Sequence, residues 1–231
     1  MEPRPVVGPT PREPLPPNGL RIGVLTELWA GFGADDAVLS VLADAAAALG
    51  DGGAAVSRVA PIFRDDPYPA LDRLFQVRAA AELESIREDR RELVHPAIRD
   101  WCAPGANRSA TDFTRDGEAV ARSAELVRAA TAAFDFVVSP IIPTVGFAAD
   151  EVGLDPSHPL AHCGFTAWAN QTAQPAAALR FGFADGMPVG IQVVGPRFAD
   201  ADVLRLTKWL EAARPATITW PAPATAHQGG H

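Results

Sequence analysis

Three residues in the stretch HPLAHC carry side chains that bind metals or attack carbonyls: His158, His162 and Cys163. Zinc takes three or four such ligands, and a catalytic site keeps one position open. A second pair, His227 and His231, repeats the gap of three, but it lies in PAPATAHQGGH, whose composition predicts a loose end. His158 and His162 therefore read as polar loop histidines, and no metal site is expected. Cys163 beside His162 does not make a thiol–imidazole pair, because such pairs meet through the fold rather than by adjacency. The stretch AGFGADD holds a G-x-G after an apolar run, but Asp36 stands where a dinucleotide fingerprint has its third glycine. A carboxylate at that helix start repels phosphate and suits capping instead. Neither G-x-S-x-G nor a P-loop occurs, and no cofactor is expected.

The chain holds a single lysine, Lys208. A lysine acts as a general base only when burial strips its proton near neutrality, and Lys208 reads as exposed on the last helix. The stretch DGMPVGIQVVGPR, from Asp185 to Arg197, is different in kind. Asp185-Gly186 signals a tight turn, Pro188 belongs at a strand start or edge, and Gly190 allows a close backbone approach. Gln192, set among Ile191, Val193 and Val194, is half-buried in this reading. It must find partners or cost about 1–3 kcal/mol.

The elements that would position these residues follow from composition and periodicity. The chain has 231 residues, 48% apolar and 21% charged, enough for one large domain or two small ones. Twenty-eight acidic against 20 basic residues give net charge −8, which argues against nucleic-acid and anionic-membrane partners. No apolar run reaches the roughly 18 residues that span a bilayer, since Pro140 and Pro143 interrupt the best one. No signal peptide is visible, and a cytoplasmic location is expected. Cys102 and Cys163 allow one bridge at most and no disulfide framework.

Residues 1–18 are rich in proline and read as a disordered tail, 215–231 as a flexible one, and 19–214 as the folded region. Leu20–Leu25 is a strand. Val38, Leu42, Ala45 and Leu49 form one helical stripe, capped by Asp35 or Asp36 and closed by Gly50. AAVSRVAPIF then makes a second strand, parallel to the first. A helix is expected over Pro67–Leu93, with HPAIRDWCAPGANRSA breaking it. Another covers Asp116–Phe134 before the strand FDFVVSP. A long loop follows, of the kind that often carries function. FTAWANQTA reads as a helix, PAAALRFGF and VGIQVVGP as a hairpin, and ADVLRLTKWLEAAR as a closing amphipathic helix. The alternation predicts an α/β layer fold.

The segment from Asn170 to Glu211 resembles the C-terminal part of the amidase signature family. Asn170, Thr172, Pro175 and Ala176 match its N-x-T-G-x-P-A pattern; Gly186, Pro188, Gly190 and Gln192 match G-x-P-x-G-x-Q. Asp200, Leu204 and Glu211 fit the closing helix. FDFVVSPIIPT is similar to the strand and loop before this segment, and the likeness runs from about Gly19 to Arg214. Ala173 stands where the family has Gly, Ala178 where it has Ser, and Arg180 where it has Pro, so packing beside the pocket is expected to differ.

The resemblance implies a partial amidase-signature fold, an α/β arrangement with a mixed β-sheet flanked by helices. It also implies substrate-binding roles for Pro140, Ile141, Pro143, Thr144, Phe165 and Asn170. The family's Ser-Ser-Lys triad lies on a Gly/Ser-rich signature and an upstream lysine, and this chain has no Ser-Ser pair. No catalytic residue is therefore assigned. The expectation is the C-terminal portion of a carboxamide hydrolase, inactive alone, that acts on a small-molecule amide only when completed. A complementary N-terminal amidase polypeptide or self-association would complete or cover it. A subunit of a split amidase or amidotransferase and a non-catalytic binding module are the alternatives.

Overall fold

In the computed structural model the described residues are 13–155 and 158–215. The first apolar run forms β1 (Arg21–Val24), followed by a small antiparallel pair, β2 (Glu27–Trp29) and β3 (Phe32–Gly33). The helical stripe forms α1 (Asp36–Asp51), and β4 (Ala55–Arg58) returns parallel to β1. Helices α2 (Tyr68–Ser85), α3 (Pro96–Cys102) and α4 (Ala110–Thr131) lead to β5 (Phe136–Pro140), which also runs parallel to β1. Then come α5 (Gly164–Thr172), β6 (Ala176–Ala184), β7 (Met187–Val194) and α6 (Asp200–Ala213).

The strands form one five-stranded mixed sheet in the order β4-β1-β5-β7-β6, with β7 antiparallel to both neighbours. Alternation divides its side chains between two cores. Ile22, Val138, Leu179, Phe181, Ile191 and Val193 meet α1 and α6 on one face. Val137 and Val194 meet Val127 of α4 and Phe165 and Trp168 of α5 on the other. The sheet thus lies between two helical layers, as expected. The β6–β7 turn has φ of 50° at Asp185 and 76° at Gly186. Two positive φ values make the type I′ turn that matches strand twist and favours Asp-Gly.

Several local expectations are corrected. Pro96 starts a helix rather than breaking one: it sits in the first turn of α3, where its missing N–H costs nothing, and the His95 ring accepts from the Ala97 N–H. α4 begins at Ala110, not Asp116, because the Ser109 hydroxyl accepts the Asp112 N–H at 3.1 Å. α1 runs on through Gly50 to Asp51, and Asp35 occupies its N-cap position without a side-chain cap bond. The segment 13–18, expected within a disordered tail, is docked: the Leu15 N–H donates to the Arg205 carbonyl at 3.0 Å and Pro17 is buried. Residues 1–12 and 216–231, with His227 and His231, lie outside the described residues. Cys102 and Cys163 are free thiols. Among the described residues no helix is long and apolar enough to cross a membrane.

Between β4 and β5 the chain forms a helical arm that is held by charge more than by apolar burial. α2 buries only Ala70 and Ala80. Asp116 of α4, 4% exposed, accepts from Arg73 of α2 at 2.6 Å and from Arg108 at 2.9 Å. The Arg73 hydrogen bond, helped by its charge and by Arg108, holds the Asp116 carboxyl below its usual range, although burial pushes the other way.

Two outcomes are expected of this fold. Asp116→Asn should lower stability by about 2–3 kcal/mol in urea melts at pH 7, since it leaves two guanidinium groups without their shared anion. A depressed folded-state pKa stabilises above the unfolded value and is lost as pH falls through the folded one. The wild type should therefore lose stability on acidification below the normal carboxylate range, and the variant should lose less. Ala173, where the resemblance marks an expected glycine, closes α5 in the left-handed region with φ 54° and ψ 36°. A side chain there is strained and glycine is not, so Ala173→Gly should raise stability by about 0.5–1 kcal/mol in the same melts.

Candidate functional site

Strand connectivity points to one end of the sheet. From β1 the chain crosses through α1 to β4 on one side, then through α4 back to β5 on the other. The helix that follows β1, α1, packs in one core, and the helix that follows β5, α5, packs in the other. Loops leaving the carboxyl ends of β1 and β5 therefore diverge, and open α/β sheets bind ligands in the crevice so formed. The turn Ile141–Thr144 leaves β5 at this place.

Each wall of the crevice is pinned. The Leu25 N–H donates to the Val138 carbonyl at 2.9 Å, extending the β1–β5 contact, and the Asp35 N–H donates to the Pro143 carbonyl at 2.8 Å. Ile141 continues the register of β5 and lies over Gly190, where a Cβ would come within 2.5 Å of Ile141 Cδ1. The close approach expected at Gly190 is thus made by a side chain. Thr144 shares its hydroxyl with the N–H and carbonyl of Gly146. Beneath them, Phe32 stacks on Trp29 at 4.3 Å and tilts against Phe165 at 5.6 Å. The Tyr68 hydroxyl donates to the Gly164 carbonyl at 2.6 Å, and burial raises its pKa, which keeps it a donor.

Gln192 joins these parts. It stands opposite Ser139 across the β5–β7 ladder, and its side chain is 4% exposed. Its Nε2 donates to Ser139 Oγ at 3.2 Å and to the Phe165 carbonyl at 3.0 Å, while Ser139 donates to the Pro140 carbonyl. One carboxamide thus links the end of β5 to the start of α5. Its need for partners was readable in sequence; Ser139 as one of them was not, because register is set only in the folded sheet.

The six expected site residues are not all together. Pro140, Ile141, Pro143 and Thr144 share the β5 exit, with Pro140 and Pro143 buried. Phe165 has no exposed surface and belongs to the core under that turn. Asn170 is exposed near the far end of α5. Lys208 is exposed on α6, in the opposite helical layer. His158 contacts Asp155, and the His162 ring lies 5.3 Å from Phe147; among the described residues no cluster could hold a metal ion. A cavity of about 210 Å³ opens at the other end of β5, lined by Phe136, Gln174 and Gly195, and contains none of the six.

The β5 exit is a pinned turn over the end of the sheet. Its two hydroxyls, Ser139 and Thr144, bond to Pro140, Gln192 and Gly146, and neither meets a base among the described residues. If Gln192 is the tie between β5 and α5, Gln192→Leu should cost about 1–3 kcal/mol by urea melt despite its similar size. It should also speed amide exchange in α5 more than in α1. Equal loosening of both helices would contradict the assigned role.

The family model described as Amidase matches residues 3–204. The A-type subunit of the glutamyl-tRNA(Gln) amidotransferase of Thermotoga maritima is 37% identical over 82 residues, 36% of this chain and 17% of that protein. The solved 6-aminohexanoate cyclic dimer hydrolase superposes with a TM-score of 0.71 at 23% identity, covering 87% of this chain and 46% of that one. A bacterial aryl acylamidase of the amidase signature family gives 0.70 at 19%, covering 86% and 44%. The chain thus spans less than half the length of these structures, and the fold they share with it is this sheet and its helices. The chain belongs to the amidase family.

Proposed function

We propose that this chain is the C-terminal half of an amidase-signature amidohydrolase, which cleaves a carboxamide C–N bond when the Gly/Ser-rich half is in place. The observation that carries the reading is the Ile141–Thr144 turn at the carboxyl end of β5, over the switch point of the sheet. In this division the present half supplies a pocket wall and the other half supplies the reacting groups. Pro140, Ile141, Pro143 and Thr144 border the substrate. Phe165 supports that border from the core, and Asn170 marks the outer end of the same helix.

The chemistry follows the family's Ser-Ser-Lys set. The nucleophilic serine oxygen attacks the amide carbonyl, and its proton passes through the bridging serine toward the departing amine. Lysine serves as the base, and water then releases the acid from the acyl-enzyme. The similarity to a glutamyl-tRNA(Gln) amidotransferase polypeptide supports a second reading, in which the completed protein works as one subunit of an amidotransferase.

Carboxamide hydrolysis separates these readings. The purified chain alone should show no turnover above background, whereas adding the Gly/Ser-rich half as a separate polypeptide should produce it. Turnover that appears only with an amidotransferase partner protein would favour the second reading. Turnover by the chain alone that survives Lys208→Ala would overturn both.

A further inference from the structure

A second structure stands beside the β5 exit. β1 runs on through Leu25, whose N–H reaches the Val138 carbonyl, and leads into the hairpin of β2 and β3. Three residues after Phe32, the Asp35 N–H binds the Pro143 carbonyl. Three residues span at most about 11 Å, so this hairpin and the turn Ile141–Thr144 are neighbouring walls of the crevice.

The hairpin carries a pair of aromatic rings that the core does not fully cover. Trp29 stacks on Phe32, with centroids 4.3 Å apart and planes 20° from parallel. Phe32 rests on Phe165 and on Gly164, where an added Cβ would collide with its ring. Tyr68 meets Trp29 edge-on at 5.6 Å, and its hydroxyl is fixed on the Gly164 carbonyl. Leu25, Leu28 and Phe165 are fully buried, yet Trp29 and Phe32 are only partly so. The pair is held in place from Gly164, Phe165 and Tyr68 and still keeps surface open.

What this region offers a ligand is apolar. Thr144 spends its hydroxyl on Gly146, and Ser139 spends its own on Pro140 and Gln192. The hairpin's carboxylate, Glu27, is taken up by the Gly31 N–H and by Arg58. Ile141, partly exposed on the turn, adds an aliphatic side chain. A fixed pair of stacked rings favours a third ring, offset or edge-to-face, over an aliphatic or charged group. We infer that Trp29, stacked on Phe32, is a specificity-determining residue that takes a flat aromatic ring of the carboxamide substrate. The inference rests on the amidase reading proposed above for the reaction, but not for the aromatic contact itself.

4-Benzoylbenzamide, an aryl carboxamide that inserts into nearby C–H bonds under ultraviolet light, tests that contact on the purified chain. Mass mapping should place the adduct on residues 27–34, and benzamide should compete while acetamide does not. With the Gly/Ser-rich polypeptide added, kcat/KM should favour benzamide over acetamide by about tenfold or more. Trp29→Leu should remove most of that preference by raising KM for benzamide. Trp29→Phe, which keeps a ring, should retain most of it, and unchanged urea midpoints would show that both variants fold. If Trp29→Leu does not fold, the adduct on the wild-type chain decides. A competed adduct elsewhere, or an active complex with no preference for the ring, would overturn the inference and leave the amidase reading standing. So would a preference that survives Trp29→Leu. A competed adduct on the hairpin without turnover in the complex would support the aromatic contact and overturn the amidase reading.

Discussion

A buried carboxamide can be kept in a sheet only if its hydrogen bonds are made, and Gln192 makes them to two different elements. Its Nε2 holds Ser139 on β5 and the Phe165 carbonyl on α5. The apolar cores alone would tolerate small slides of α5 over the sheet, since dispersion contacts have little direction. Hydrogen bonds do have direction, and they fix where α5 begins relative to the end of β5. The candidate site is built at that junction. Ile141 reaches Gly190, Pro143 accepts from Asp35, and Phe32 packs against Phe165 around it.

The same geometry places a pinned turn at the end of β5 with no hydroxyl–base pair beside it among the described residues. With α1 after β1 on one face and α5 after β5 on the other, the sheet has a switch point, and the pinned turn Ile141–Thr144 lies there. Acyl transfer needs more: a hydroxyl bonded to a base that can take its proton. Here the nearby hydroxyls serve the scaffold. Ser139 is fully buried and spends its bonds on Pro140 and Gln192.

Much of this was legible in the residues. The stripe from Val38 to Leu49, the strand FDFVVSP and the Asp185-Gly186 turn each carry a local signal that tertiary packing does not override. Gln192 announced itself by being polar in an apolar strand. What was hidden depends on pairing between distant segments. Ser139 has no sequence mark that sets it opposite Gln192, and Phe165 looks the same in sequence whether it lines a pocket or fills a core. Pro96 misled because proline both breaks helices and begins them, and the capping residue decides which. Ala173 shows the converse: the departure from glycine was plain in the chain, but only the positive φ gives it a cost.

In the proposed division of labour, this half of the fold positions a substrate and the other half reacts with it. Labelling with a serine-directed fluorophosphonate, followed by intact mass measurement of each polypeptide in the assembled enzyme, tests it most directly. A mass shift is expected on the Gly/Ser-rich polypeptide and none on this chain. A shift on this chain, at Ser139 or any other of its serines, would contradict it.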